Sequence, residues 1–255
     1  MTRRYSLFAL NLPRSFSYNS CKTFSKQGKI CLNFKQSYLS DLTQRMEKPF
    51  PENQLINIVI HGHSQTCGYT TGHVIDPFSA YPHQLKKLLH HRFPFATFNM
   101  IVTGIGGENS IRGAQRLESD VLCHKPDLVT IDYALNDRYA DLDEVKSSWD
   151  KMVSQLCQKG IPVILLTPTL DVPAAYVPSE MEKIKQLDKM IHLVGASHQV
   201  AVAEVFQTWS NYLKLNGRVE DLLCGVNHAS ELGTQTDSHG VKLLVSVSRL
   251  LNKHK

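Results

Sequence analysis

No apolar run in this chain approaches the roughly 18 residues needed to cross a bilayer as a helix, and none of its motifs marks an intramembrane site. The short apolar stretch from Leu7 to Leu12 lacks a clear cleavage site, so no secretory signal is expected. The six cysteines, Cys21, Cys31, Cys67, Cys123, Cys157 and Cys224, form no CxxC pair and are irregularly spaced. That pattern fits free thiols in a reducing cytoplasm better than a disulfide framework, and a cytoplasmic location is expected. Acidic residues are missing from the first forty positions, which carry Arg3, Arg4, Arg14, Lys22, Lys26, Lys29 and Lys35. The net charge of +5 therefore belongs to that stretch, and the remainder is near neutral. No nucleic-acid partner is implied. A GxGxxG fingerprint, a P-loop lysine and an HExxH pair are absent as well. These absences argue against dinucleotide, nucleoside-triphosphate and zinc-protease chemistry.

What is present is an ordinary globular balance over 255 residues, 42% hydrophobic and 20% charged. A chain of this length can bury a full core without disulfides or metals. Residues 1–50 show neither helical nor strand periodicity and are rich in Ser, Asn, Lys and Phe. They read as a basic tail, a transit-like peptide, or sequence upstream of a start at Met46. The patterned domain is expected over 51–255.

In that domain β-rich runs alternate with amphipathic ones. Strands are expected at Ile56–Ile60, Phe98–Val102, Asp127–Asp132, Pro162–Leu166 and Val200–Val205. Helices are expected at Pro82–Arg92, Ser110–Cys123, Leu142–Lys159, Ser179–Ala196 and Gly240–Leu251, the last capped by Asp237 or Ser238. Strands separated by such helices imply βαβ units. The expected class is α/β, a three-layer α/β/α sandwich around a central, mostly parallel five-stranded sheet, with its site at the carboxyl ends of the strands.

Four segments at those ends can carry chemistry. His61-Gly62-His63-Ser64 follows the first strand, where a serine can meet backbone N–H groups that suit an oxyanion. An ordinary turn serine has the same local look. Thr103 to Ser110 follows the second strand, and its glycines let backbone approach a ligand or simply form a turn. Asn136-Asp137 follows the third strand, where an amide can face developing negative charge or cap a turn. Asn227-His228 precedes the last expected helix, and His228 is a candidate general base among twelve histidines. His61 and His63 are spaced as a possible metal pair, but no third ligand is placed to join them.

Taken together, a Ser, a Gly, an Asn and a His in that order resemble the SGNH hydrolase family, the GDSL-like esterases and lipases, over about residues 55–250. Gly62-His63-Ser64 with Gly68 looks like the nucleophile block, Gly106-Gly107 like the glycine block, Asn136-Asp137 like the third, and Asn227-His228 like the histidine block. The resemblance implies Ser64 as nucleophile and His228 as base. It implies an oxyanion hole from the N–H groups of Ser64 and Gly107 and the amide of Asn136. No cofactor and no metal are implied, and the substrate class is a carbohydrate, lipid or small-molecule ester.

The chain departs from the family pattern at three places. His63 replaces the Asp before the nucleophile, Ala134 replaces a glycine, and Gly225 occupies the acid position three residues before the histidine. Asp221 is close in sequence but seven residues away, which is not the family spacing, so a Ser–His dyad with a backbone carbonyl orienting the imidazole stays open; His239 with Asp237 is an alternative base. These departures also keep open a catalytically weak relative that binds a carbohydrate or protein. Tyr69, Phe78, Tyr81 and Tyr176 are candidate pocket walls.

Overall fold

The computed structural model describes residues 39–215 and 217–234. The expected last helix, with Asp237, Ser238 and His239, lies outside the described residues. The chain runs from α1 (Ser40–Glu47) into β1 (Leu55–Gly62), a one-turn helix α2 (Ser64–Cys67), α3 (Tyr81–Arg92) and β2 (Thr97–Val102). Then come α4 (Ser110–Gln115), α5 (Leu117–Asp120), β3 (Leu128–Asp132), α6 (Ala134–Asp137), α7 (Leu142–Gln158) and β4 (Val163–Leu166). The described part ends with α8 (Val172–Tyr176), α9 (Pro178–His198), β5 (Ala201–Ala203), α10 (Val205–Lys214), the hairpin strands β6 (Leu223–Cys224) and β7 (His228–Ala229), and α11 (Glu231–Thr234).

The main sheet has five parallel strands in the order β2-β1-β3-β4-β5. Alternate side chains point to opposite faces of a strand, and both faces here are apolar. Ile56, Ile58, Ile60, Ile164, Leu166, Ala201 and Ala203 pack on one side with Leu85 and Leu89 of α3 and Trp209 of α10. Val59, Val129, Ile131, Val163, Leu165 and Val202 pack on the other with Trp149 and Met152 of α7 and Ile191 and Val194 of α9. This is the expected three-layer sandwich. The strand order reverses between β1 and β3, so the crevice at their carboxyl ends is the natural site.

Three elements differ from expectation. The boundary near residue 50 falls after α1, whose flanking Leu39 and internal Leu42 and Met46 are buried in the core with Ile56 and Leu89. Its eight residues are too few to show a clear period amid polar neighbours. The helix expected over Ser110–Cys123 breaks at Arg116, whose φ of −106° and ψ of 13° leave the helical region. That break lets the Arg116 guanidinium reach both Glu108 and Asp120. Finally, α10 was not expected. It forms around the fully buried Trp209, with no side-chain cap to announce its start.

Candidate active site

The register pairs Gly62 with Asp132, so β1 and β3 end together. Immediately beyond, the chain turns into α2 with Ser64 as its first residue. His63 caps this turn: its Nδ1 lies 3.5 Å from the Gln65 N–H as acceptor and 3.3 Å from Ser64 Oγ. The Thr66 hydroxyl donates to the His63 carbonyl at 2.7 Å. These bonds make the turn at Ser64 a tightly held corner, with Ser64 only 8% exposed.

The glycine segment continues the sheet ladder past the strand ends. Thr103 N–H donates to Ile60 O at 2.9 Å and Ile105 N–H to Gly62 O at 3.1 Å. Gly107 then adopts φ +74°, a left-handed conformation that disfavours side chains, and a Cβ there would meet nothing within 4 Å. The residue is therefore needed for backbone shape, beside open space. Among the described residues, neither the Ser64 nor the Gly107 N–H donates a hydrogen bond, so both donors are uncommitted.

Asn136 joins this segment directly. Its Nδ2 donates to Glu108 O at 2.8 Å, which uses one of two amide hydrogens. Asp137 adds a second tie, accepting from Ser110 N–H at 2.8 Å and from Trp149 Nε1 at 2.7 Å. Burial pushes the Asp137 carboxyl up to about 6, against the lowering effect of those bonds. Beneath the loop, the buried Glu108 carboxylate receives Arg116 and the Tyr133 hydroxyl. Tyr133 also meets His61 Nε2 at 3.1 Å. His61 is fully buried and additionally bonded to Thr103 Oγ1 and Gly113 O. Burial, helped by the Arg116 charge, lowers its pKa to about 4, so it is neutral at neutral pH. His61 thus belongs to a supporting network. Among the described residues, no cluster of His, Cys, Asp or Glu is arranged to hold a metal ion.

His228 lies on β7, paired with Cys224 across the hairpin β6–β7 and just ahead of α11. The hairpin turn holds Gly225 at φ +85°. The position that carries the family's acid is therefore a left-handed turn residue, where an acidic side chain would be strained. Gln65, next to Ser64, grips the hairpin: its Nε2 donates to Asn227 O at 2.8 Å and its Oε1 accepts from Ala229 N–H at 2.9 Å. The Tyr69 ring stacks on the His228 imidazole, with centroids 5.8 Å apart. Burial, and then the nearby His63 and His73, lower the His228 pKa. Among the described residues its ring makes no hydrogen bond, to Ser64 or to a carboxylate.

Asp221 is committed elsewhere. Its Oδ2 accepts from Arg218 N–H at 2.8 Å and from Tyr212 OH at 3.2 Å. Of the candidate wall residues, Tyr81 is buried in the core at 2% exposure, where it lines a small cavity with Gln65 and Thr169. Tyr69 covers His228, while Phe78 and Tyr176 are exposed. Gln65, next to Ser64, and Glu108, within the glycine segment, carry no expected role from the sequence. Their partners are distant in sequence, so no local spacing marks them.

With this geometry in view, comparison with known proteins is decisive for the family. The sequence model of the GDSL-like lipase/acylhydrolase family matches residues 60–235. The chain belongs to that family. No curated protein sequence matches it significantly. Among solved structures, a lipase/acylhydrolase from Enterococcus faecalis is 26% identical, with a TM-score of 0.60 over 76% of this chain and 94% of that one. An acetylxylan esterase from Geobacillus stearothermophilus is 19% identical, with a TM-score of 0.65 over 77% of this chain and 94% of that one. A two-domain esterase active on acetylated mannans is 17% identical, with a TM-score of 0.69 over 87% of this chain. The family member described here spans about half that enzyme, 54% of its length. No described helix is long and apolar enough to cross a membrane.

Proposed function

We propose that the chain is a serine esterase that cleaves carboxylic esters through an acyl-serine intermediate. The observation that carries this reading is the tie between Asn136 and Glu108. It joins the asparagine segment to the glycine segment, which is itself bonded to the end of β1 through Ile105 N–H and Gly62 O, and the N–H groups of Ser64 and Gly107 are uncommitted among the described residues.

A serine hydroxyl is a weak nucleophile at its own pKa and needs a base. In the proposed cycle His228 takes the Ser64 proton as Oγ bonds to the ester carbon. The carbonyl oxygen becomes an oxyanion held by the Ser64 and Gly107 N–H groups and the free amide hydrogen of Asn136. The bond to the alcohol then breaks, and His228 returns the proton to the leaving oxygen. Water, activated by His228, hydrolyses the acyl-serine to release the acid and restore Ser64. His228 must turn toward Ser64 in the substrate complex, as catalytic hydrogen bonds often tighten only there. No step requires a metal or organic cofactor. Acetyl or other acyl esters of a carbohydrate, lipid or small molecule fit the open space beside Gly107, and the acetylated-polysaccharide esterases of the same fold favour carbohydrate acetates.

The test is turnover of p-nitrophenyl acetate by the wild type and by Ser64→Ala. Turnover lost in a folded Ser64→Ala supports the reading, and turnover retained overturns it. One observation favours a second reading, a carbohydrate-binding relative without activity: the His228 ring has no carboxylate partner among the described residues. Wild-type protein that binds an acetylated oligosaccharide without releasing acetate would establish it.

A further inference from the structure

The family pattern places an acid three residues before the histidine, to hold the imidazole in place. Here that position is Gly225, and its φ of +85° belongs to the hairpin turn. Among the described residues no carboxylate meets the His228 ring, and Asp221 is spent on Arg218 and Tyr212. Among the described residues, something other than a carboxylate must fix the histidine relative to Ser64.

The only side chain among the described residues that hydrogen-bonds the backbone on both sides of His228 is Gln65. Its amide presents a donor and an acceptor side by side, the same complement a peptide group offers. The donor reaches Asn227 O at 2.8 Å and the acceptor receives Ala229 N–H at 2.9 Å. Gln65 is 7% exposed, so water competes little for these bonds. Thr169 Oγ1 lies 3.4 Å from the same Nε2, behind the amide. Gln65 is also the residue after Ser64, on the same turn of α2. The clamp therefore couples the nucleophile's own helix to the strand that carries the base.

We propose that Gln65 is the positioning residue for His228: its amide holds the backbone on both sides of the histidine and so sets the imidazole beside Ser64, replacing the missing acid. The Tyr69 ring packs against one face of the imidazole, and the Gln65 clamp fixes the place of the His228 Cα, about which the ring turns toward Ser64. This inference rests on the serine-esterase reading above. It differs from an acid in one respect: the clamp positions the ring without neutralising the imidazolium that forms when Ser64 is deprotonated.

The test is Gln65→Met, similar in length and shape but unable to make either bond. A misplacement of about 1 Å can cost about 10² in rate, so kcat for p-nitrophenyl acetate is expected to fall about 10²-fold with little change in KM. Fluorophosphonate labelling of Ser64 should slow in parallel. Added imidazole should restore part of both rates, because the protein's own base is out of place. A purely structural role would lower the melting temperature and leave a folded sample with a wild-type rate and no response to imidazole. That result overturns the inference. If Gln65→Met does not fold, Gln65→Asn carries the same test, since it is polar but one methylene too short to reach both groups. A wild type that takes no label overturns the esterase reading and this inference with it. A labelled wild type with an equally reactive Gln65→Met overturns this inference alone.

Discussion

His63 Nδ1 lies 3.3 Å from Ser64 Oγ, whereas the His228 ring makes no hydrogen bond to Ser64 among the described residues. Its other nitrogen faces Asp132 Oδ1 at 3.6 Å and has no hydrogen-bond partner. The order Ser64, His63, Asp132 looks like a triad, yet the site argues for another role. His63 is 1% exposed, so it is less open to a leaving alcohol than the half-buried His228. Its Nδ1 lone pair also faces the Gln65 N–H as a helix cap. We expect His63→Asn, which can still cap the turn, to keep at least about a tenth of wild-type kcat/KM. His228→Ala should lose about 10²–10⁴, the range for removing a general base. Steady-state kinetics of the two variants decide, and the reverse order would make His63 the base.

Asn136→Ala should lower kcat about 10²–10³-fold with KM little changed, because in the proposed cycle the amide serves the oxyanion rather than the bound ester. The same change frees Glu108 O from its 2.8 Å bond. Circular dichroism should show the fold intact. An unchanged kcat would remove Asn136 from the oxyanion hole.

The rate should depend on pH through His228. The imidazole must be neutral to accept the Ser64 proton, so kcat/KM falls as pH drops through its pKa. Burial and the neighbouring His63 and His73 hold that pKa below the ordinary 6.5. The acid limb of kcat/KM should therefore have its midpoint below pH 6.5. A midpoint above 6.5 would indicate a carboxylate partner for His228, contrary to the geometry described.

Asp137 provides a test on stability. Its carboxyl is raised from 3.8 to about 6, chiefly by burial. The native state thus holds this proton more tightly than the unfolded chain. That contribution is complete below pH 3.8 and is lost as pH rises toward about 6. It amounts to at most about 3 kcal/mol. In Asp137→Asn the titration is absent, although one of the bonds from Ser110 and Trp149 is also lost. The melting-temperature advantage of the wild type over Asp137→Asn should shrink as pH rises from about 4 to about 6 and then level off. An advantage that grows over this range would contradict the assignment.

Much of the architecture was readable in the chain. The five β-rich runs stand within a few residues of the strands, because both faces of the sheet are apolar and the runs are bounded by turn residues. Ser64, Gly107 and Asn136 fall at strand ends, where the parallel sheet places its site. What was hidden depends on contacts distant in sequence. The α1 helix acquires its meaning only when Leu42 and Met46 meet Leu89, and α10 only when Trp209 is enclosed. The hairpin that carries His228 has strands of two residues each, too short for any period to show. The Gln65 clamp joins positions 65 and 227, and a polar side chain beside a candidate nucleophile gives no sign of which way it points.

The central claim is that Ser64 is an activated nucleophile. Labelling of the folded wild-type protein with a fluorophosphonate probe, mapped by mass spectrometry, tests it most directly. The account predicts a single adduct on Ser64 that is absent from Ser64→Ala. A folded chain that takes no label, or that is labelled elsewhere with Ser64 unmodified, would contradict it.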